Sequence, residues 1–488
     1  MKTRRFTILH SNDMHGDFLA EIRGGEGNLI GGLALLSGYI HKVRSEEENV
    51  IFVIAGDMVQ GSVIDTEYKG ISTIEIMNYL APDVVTLGNH EFDYGLPHLL
   101  FLEKLANFPI VNANLYIKDH HKRLMHSHHI VNKAGLDILF IGIITDKVID
   151  SIKMDETISS FISLQEASEE VGRICNAFKN DDIDLTVLLT HIGYESDREL
   201  AALLDPAWGV DLIIGGHSHT ILEKPDVVNG VLVAQAGVGT DQIGRFDIVV
   251  DDDTNSIVEY NWRVVPISSD LVEPDAGLEQ YIESFKSVVD RKYNSIICKF
   301  SDKLTHARRE VETPLGNLVA DALAEGANAD VVLMGSGAIR LLELGPLVTL
   351  GNFSACFPYA DSLTRFRVTG GQLKRMFSRW MRADNRTGEG ECYQVNAGVR
   401  AVYDETAGAL TSLTIKGQPV QDEGSYSVAL QGYHVRGSSR FLDVEAEELA
   451  RLAPPKVVAT RMQDVLEEYL RVNQNVTRRV EGRLEYLS

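Results

Sequence analysis

Residues 84–95 read Val84-Val85-Thr86-Leu87-Gly88-Asn89-His90-Glu91-Phe92-Asp93-Tyr94-Gly95. A short apolar run stops at a glycine and is followed at once by side chains able to hold a cation or move a proton. The apolar part has the length and branching of a strand buried on both faces. The same pattern repeats on either side of this stretch. Ile8-Leu9 leads to Asn12-Asp13-Met14-His15-Gly16, and Val50 to Ala55 leads to Gly56-Asp57-Met58-Val59-Gln60-Gly61-Ser62. Leu185 to Leu189 is followed by Thr190-His191, and Leu212 to Ile214 by Gly215-Gly216-His217-Ser218-His219. Leu136 to Ile144 is a further buried-type strand, and helical spacing fills several of the intervals, at 30–43, 71–80, 97–106 and 165–178. Alternating strands and helices predict an α/β layered domain, in which strand ends converge on one rim.

Asp, His and Asn together form the ligand set of Zn²⁺, Mn²⁺, Fe²⁺ or Co²⁺, and suit neither a calcium cage nor a thiolate site. Six or seven such residues exceed what one tetrahedral ion takes. They suit two ions about 3.5–4 Å apart that share a carboxylate. Asp57 stands alone on its strand end and is the natural bridge. Any one of these residues, His191 for instance, reads as an ordinary loop side chain by itself; five clusters at successive strand ends do not.

The five motifs, in this order and spacing, resemble those of the calcineurin-like metallophosphoesterases. Within them they resemble the 5′-nucleotidase family, which also includes 2′,3′-cyclic nucleotide phosphodiesterases and nucleotide-sugar hydrolases. The resemblance implies a four-layer β-sandwich flanked by helices over residues 1–265. It also implies two divalent ions, the first held by Asp13, His15, Asp57 and His219, the second by Asp57, Asn89, His191 and His217. A water acidified between them would attack phosphorus in line. His90 would stabilise charge on a phosphoryl or leaving oxygen, and Asp93, three residues on, would orient its ring.

A different texture begins near Asp251. A polar turn, 251–255, separates two strands at 246–250 and 257–265, and a helix at 278–293 carries Ile282, Phe285, Val288 and Val289 at helical spacing. It reads as a linker helix within residues 266–295, ahead of a second α/β domain at 296–488. That second half resembles the family's C-terminal substrate domain. Thr313-Pro314-Leu315-Gly316-Asn317-Leu318 resembles its helix start, Val331 to Arg340 its glycine-rich turn ending in arginine, and Phe357-Pro358-Tyr359 its aromatic turn. The resemblance implies that Arg309 and Arg340 reach the substrate phosphate. It also implies that two aromatics sandwich a base: Tyr359, with Tyr433 or Phe441 as the second. Two features depart from the pattern. The glycine-rich turn, Gly335-Ser336-Gly337-Ala338, lacks the family's Asn. The segment Gly437-Ser438-Ser439-Arg440 stands where relatives carry Gly-Gly-Asp-Gly, so that carboxylate is missing while Arg436 and Arg440 add positive charge.

With 46 basic against 70 acidic side chains the chain carries −24, which disfavours a nucleic-acid polymer or an anionic membrane surface as partner. A small phosphate ester is unaffected, because two divalent cations dominate the local field. Cys175, Cys298, Cys356 and Cys392 are widely spaced and read as reduced structural residues. No apolar run near the N-terminus has the length of a secretion signal or membrane span, so a cytoplasmic location is the expectation. The histidines at 120, 121, 126, 128 and 129 read as solvated loop residues. Residues 237–244 echo a dinucleotide fingerprint but lead into a strand, which removes that reading. The expectation is a dinuclear-metal phosphohydrolase acting on nucleoside 5′-monophosphates. The alternatives are a 2′,3′-cyclic phosphodiesterase or nucleotide-sugar hydrolase, and, against the intact ligand set, a nucleotide-binding protein without turnover.

Overall fold

The computed structural model describes residues 3–23, 27–117, 122–144, 160–161, 163–386 and 391–487. The chain separates into two compact units, Met1–Val289 and Asp290–Ser488. The first is built on two six-stranded sheets. One runs Ser256–Pro266, Gln242–Asp251, Thr3–Ser11, Val50–Ala55, Val84–Thr86, Ile110–Val111; the other runs Asp226–Val228, Val231–Ala234, Leu212–Ile214, Leu185–His191, Leu136–Ile144, His128–Lys133. The strands that end in the motifs are parallel to a neighbour. Val53 pairs with Val84, His10 with Val53, and Val187 with Leu212.

Alternation of side chains across each strand decides what lies between the sheets. Phe6 and Ile8, Ile51 and Val53, Ile138 and Phe140, Leu185 and Val187, and Phe246 and Ile248 form one fully buried cluster. On the opposite face of the second sheet, Leu139, Ile141, Ile143 and Leu188 meet Val171, Ile174 and Leu200 of the helices Leu164–Ala177 and Tyr194–Leu203. Strands that are apolar on both faces are thus covered on both, the arrangement a parallel sheet requires.

The helix read as a linker runs Ala276–Tyr293 and packs on the first unit. The Tyr281 hydroxyl donates to Glu75 at 2.9 Å, Ser37 donates to Asp275 just before the helix at 2.8 Å, and the Phe285 ring meets Tyr68 edge-on at 5.3 Å. These aromatic and polar anchors, not the aliphatic stripe alone, fix it there.

The second unit carries a five-stranded sheet ordered Tyr393–Gln394, Val331–Gly335, Ser425–Gln431, Leu363–Thr369, Lys456–Ala459, and a four-stranded one ordered Gln418–Pro419, Ala409–Ile415, Val399–Asp404, Leu484–Leu487. The helix Pro314–Ala327 starts where its sequence dictates: Pro314 occupies the first turn and the Thr313 hydroxyl accepts from the Gly316 N–H at 3.0 Å. All four cysteines are buried and unpaired.

One half-buried carboxylate gives the first unit a pH-dependent stability. Asp211, at the start of Leu212–Ile214, accepts from the Thr186 N–H at 2.9 Å, and burial pushes its carboxyl up to about 7. Its folded pKa lies above the unfolded value, so the native state binds more protons between 3.8 and about 7, and stability falls as pH rises through that window. Asp211→Asn is expected to raise the unfolding midpoint by roughly 2–4 °C per kcal/mol of penalty removed at pH 8. The same variant should gain nothing at pH 4, as read by thermal scanning at both values.

Candidate functional site

Three sets of donor atoms converge at the rim of the first unit, each within 4.8 Å: Asp13, His15 and His219; His15, Asp57 and His90; Asp57, His191 and His217. Asn89 joins them, its Oδ1 accepting from His217 Nδ1 at 2.9 Å. The structure therefore brings together all seven residues named as ligands, together with His90. None of these sets includes His126, His128 or His129; His120 and His121 lie outside the described residues.

Backbone conformation does much of the aiming. Asp13, His15, Asp57, His217 and His219 all have left-handed φ, between 50° and 80°. A non-glycine residue in this region is uncommon and costs roughly 1–2 kcal/mol. Five of the seven candidate ligands share it, so strain is concentrated where side chains must turn back off strand ends. The close approach also explains two glycines. A Cβ on Gly56, at φ 77°, would lie 2.6 Å from His191 Nδ1, and one on Gly88 would lie 2.2 Å from Asp57 Oδ1.

Ring orientation is set from behind. His15 Nδ1 donates to the Gln60 carbonyl at 3.1 Å and His191 Nδ1 to the Ala55 carbonyl at 2.9 Å. That leaves each Nε2 facing the cluster, as in histidines that bind metals. His191 Nε2 is buried, has no hydrogen-bond partner and lies 3.1 Å from Asp57 Oδ2. His15 Nε2 and His219 Nε2 lie 3.2 Å apart, and His219 Nε2 is 3.4 Å from Asp13 Oδ1. Imidazole nitrogens and carboxylates crowded this way, with an orphaned buried nitrogen among them, fit divalent cations of the borderline class. Burial opposes charge on both His191 and Asp57, and their mutual attraction overcomes it, raising the imidazole and lowering the carboxyl from their ordinary values.

His90 opens a single 3₁₀ turn, His90–Phe92, which places its Nδ1 2.7 Å from Asp93 Oδ2. This hydrogen bond raises the ring's pKa against partial burial. The His90 N–H donates to Asp57 Oδ1 at 2.9 Å, tying the ring's backbone to the shared carboxylate.

Several residues that support the site were not singled out in the sequence. Glu91 is fully buried, and its carboxylate accepts from the N–H groups of Asp57 (3.0 Å), Met58 (2.8 Å), Val59 (3.4 Å) and Gly88 (2.6 Å). Asp197, also buried, accepts from Thr190 Oγ1 at 2.6 Å and Gln235 Nε2 at 2.7 Å, and Gln235 Oε1 in turn accepts from Ser218 at 2.9 Å. That chain links the loop ends carrying His191, His217 and His219. Asn12 donates to Asp13 Oδ2 at 2.7 Å and to the Gly237 carbonyl at 2.6 Å. The signal available for Glu91 was its place inside the motif; for Asp197 and Gln235 no local pattern marks them.

The second unit holds a cavity of about 600 Å³ lined by Arg309, Arg340, Tyr359, Tyr433, His434 and Glu391, among others. Tyr359 and Tyr433 are half exposed there, and the Arg340 guanidinium lies over the Tyr359 ring at 5.8 Å. Of the two aromatics offered as partner to Tyr359, Tyr433 lines the cavity. Phe441 instead is buried in the hydrophobic core behind it, its ring 5.6 Å from that of Tyr433. The Phe441 ring packs closely on Gly437, where a Cβ would meet it at 2.7 Å.

Residues 6–220 match the calcineurin-like phosphoesterase family and residues 296–446 the 5′-nucleotidase C-terminal domain, together covering most of the chain. The chain belongs to the calcineurin-like phosphoesterases of 5′-nucleotidase type. Among its relatives are the endonuclease YhcR of Bacillus subtilis (26% identical, 87% of this chain, 36% of that protein) and a 5′-nucleotidase of Vibrio cholerae (25% identical, 97% and 92%). The chain thus spans about a third of the first relative and nearly all of the second. The crystal structure of a 5′-nucleotidase precursor from Thermus thermophilus shares the fold, with TM-score 0.60 at 24% identity, covering 99% of this chain and 100% of that one. Among the described residues no helix is long and apolar enough to cross a membrane.

Removing the Glu91 acceptor tests how far the rim depends on it. Glu91→Ala is expected to cost about 3 kcal/mol or more in urea unfolding, since each stranded buried N–H carries a penalty of about 1–3 kcal/mol. Glu91→Gln, which keeps one acceptor oxygen, should cost less. A loss below about 1 kcal/mol in the alanine variant would show that other contacts hold the two loops.

Proposed function

We propose that this protein hydrolyses nucleoside 5′-monophosphates to nucleoside and phosphate, with two divalent ions held at the rim of its first unit. Asp13, His15, Asp57 and His219 hold one and Asp57, Asn89, His191 and His217 the other. The observation that carries this reading is the position of Asp57, whose carboxylate is shared by two of the three converging donor sets. Bound divalent ions supply Lewis-acid polarisation of the phosphoryl group and a water activated near neutral pH. The chain's own residues supply the rest. Asp93 holds the His90 ring by its Nδ1–H and favours the protonated form, so Nε2–H donates to the phosphoryl or leaving oxygen as negative charge builds there. The backbone bond from His90 to Asp57 keeps that donor fixed relative to the metal-binding carboxylate.

Recognition of the nucleotide falls to the second unit. Arg309 and Arg340 offer guanidinium groups to the phosphate, and Tyr359 and Tyr433 offer faces on which a base stacks. Stacking of this kind tolerates several bases. A second reading, cleavage of a 2′,3′-cyclic nucleotide or a nucleotide sugar, draws on Arg436, a further cavity-lining guanidinium that suits a substrate with more than one phosphate contact.

The test is a panel of 5′-monophosphates, 2′,3′-cyclic nucleotides, nucleotide sugars and p-nitrophenyl phosphate, run with Mn²⁺- or Zn²⁺-loaded protein. Phosphate release is expected to be fastest from the 5′-monophosphates. His90→Ala should lower kcat by about 10²–10⁴-fold, and Asp93→Asn by less. Asp57→Asn should remove both bound metal, read by elemental analysis, and turnover. Wild-type rates in both the His90 and Asp57 variants would refute the assignment.

A further inference from the structure

Glu391 and His434 meet inside the cavity of the second unit, in segments that carry none of the recognised motifs. His434 is fully enclosed, at 2% exposure, and neither ring nitrogen has a hydrogen-bond partner. The ring is gripped on several sides. Tyr393, Tyr433 and Phe441 meet it edge-on at 4.8, 5.2 and 5.6 Å, and a Cβ on Gly335 would collide with its Cε1 at 2.3 Å. Its Nε2 points at Glu391 Oε2 from 3.5 Å, beyond a normal hydrogen bond. Glu391 Oε1 accepts from the Gly337 N–H at 3.1 Å. An orphaned imidazole and a carboxylate with spare acceptor capacity, both facing a cavity, mark a place where a ligand completes the hydrogen bonding.

The surroundings say what sort of ligand. Gly337 is the meeting point: a Cβ there would lie 3.2 Å from Arg309 Nη2 and 3.5 Å from both Glu391 oxygens, and Arg340 Nη1 donates to the Gly337 carbonyl at 3.4 Å. Glu391 therefore sits beside the two guanidinium groups assigned to the phosphate. The other cavity carboxylate, Asp361, is spent on the Ser362 and Tyr433 N–H groups at 3.0 and 2.8 Å. An acceptor pair flanked by donors matches vicinal hydroxyls, which donate and accept at adjacent atoms. In a nucleoside 5′-monophosphate the group next to the phosphate is the sugar, not the base. We propose that Glu391, positioned by His434, is the carboxylate that reads the vicinal 2′- and 3′-hydroxyls of a ribonucleotide. The proposal rests on the nucleotidase reading given above and deepens it.

The experiment compares adenosine 5′-monophosphate with its 2′-deoxy and 2′,3′-dideoxy counterparts, using p-nitrophenyl phosphate as a sugar-free ester. The metal-loaded wild type is expected to favour the ribonucleotide over the dideoxynucleotide at least about tenfold in kcat/KM, through KM, as loss of hydrogen bonds to a charged group implies. Glu391→Gln should reduce that ratio to about twofold or less, and His434→Phe should reduce it part of the way, again in KM. Unaltered discrimination in Glu391→Gln, or a change confined to guanosine against inosine 5′-monophosphate, would overturn the proposal. If the variants do not fold, calorimetry of adenosine against 2′,3′-dideoxyadenosine on the wild type decides, equal affinity counting against it. Turnover of p-nitrophenyl phosphate with no nucleotide accepted would sink the nucleotidase reading itself. Nucleotides hydrolysed without regard to the sugar would sink only the role of Glu391.

Discussion

The buried carboxylate of Glu91 is the constraint on which the rim depends. Four backbone N–H groups from two separate strand-end loops point at its two oxygens. One loop presents Asp57, the other Asn89 and His90, so a single side chain sets the spacing between the Asp57 carboxylate and the His90 ring. Burial lifts the Glu91 pKa to about 7 because Asp57 and a low-polarity surround both disfavour its charge, and the four N–H groups only partly offset this. The arrangement trades stability for position, as expected where a site must hold several like charges close together.

The two units solve complementary problems with different materials. The first needs hard-to-hold geometry, and achieves it with left-handed residues on loops pinned by buried polar side chains. The second carries half-exposed tyrosines and arginines around a preformed cavity.

The α/β layering was legible because strands such as Val50–Ala55 and Leu185–His191 are buried on both faces and so read as unbroken apolar runs. The candidate ligands were legible because they follow those runs directly. Other features could not be read locally. The weakly apolar edge strands His128–Lys133 and Asp226–Val228 owe their pairing to a neighbour rather than to pattern. The helix Ala276–Tyr293 showed its stripe but not its docking partners, which lie two hundred residues earlier in Glu75 and Tyr68. Asp197, Gln235, Glu391 and His434 are single polar residues whose meaning comes entirely from what tertiary structure places beside them. Phe441 and Tyr433 look equivalent as aromatics, and only the fold shows that the first is a core residue and the second a lining one.

The strand order has a consequence for how the protein comes into being. Thr3–Ser11 pairs with Gln242–Asp251, and the Asp13 loop is fastened by the Gly239 N–H, by the Gly237 carbonyl through Asn12, and by the His217 N–H. Every one of these fasteners lies more than two hundred residues downstream. A chain emerging from the ribosome therefore has Asp13 and His15 held only by the nearer loop, through the Gly56, Asp57 and Gln60 carbonyls, until nearly the whole first unit has been made. Such long-range pairing is slow to form. The rim is accordingly completed late in folding, when residues 217–251 add their contacts to a loop pair, 12–16 and 56–60, that can form first.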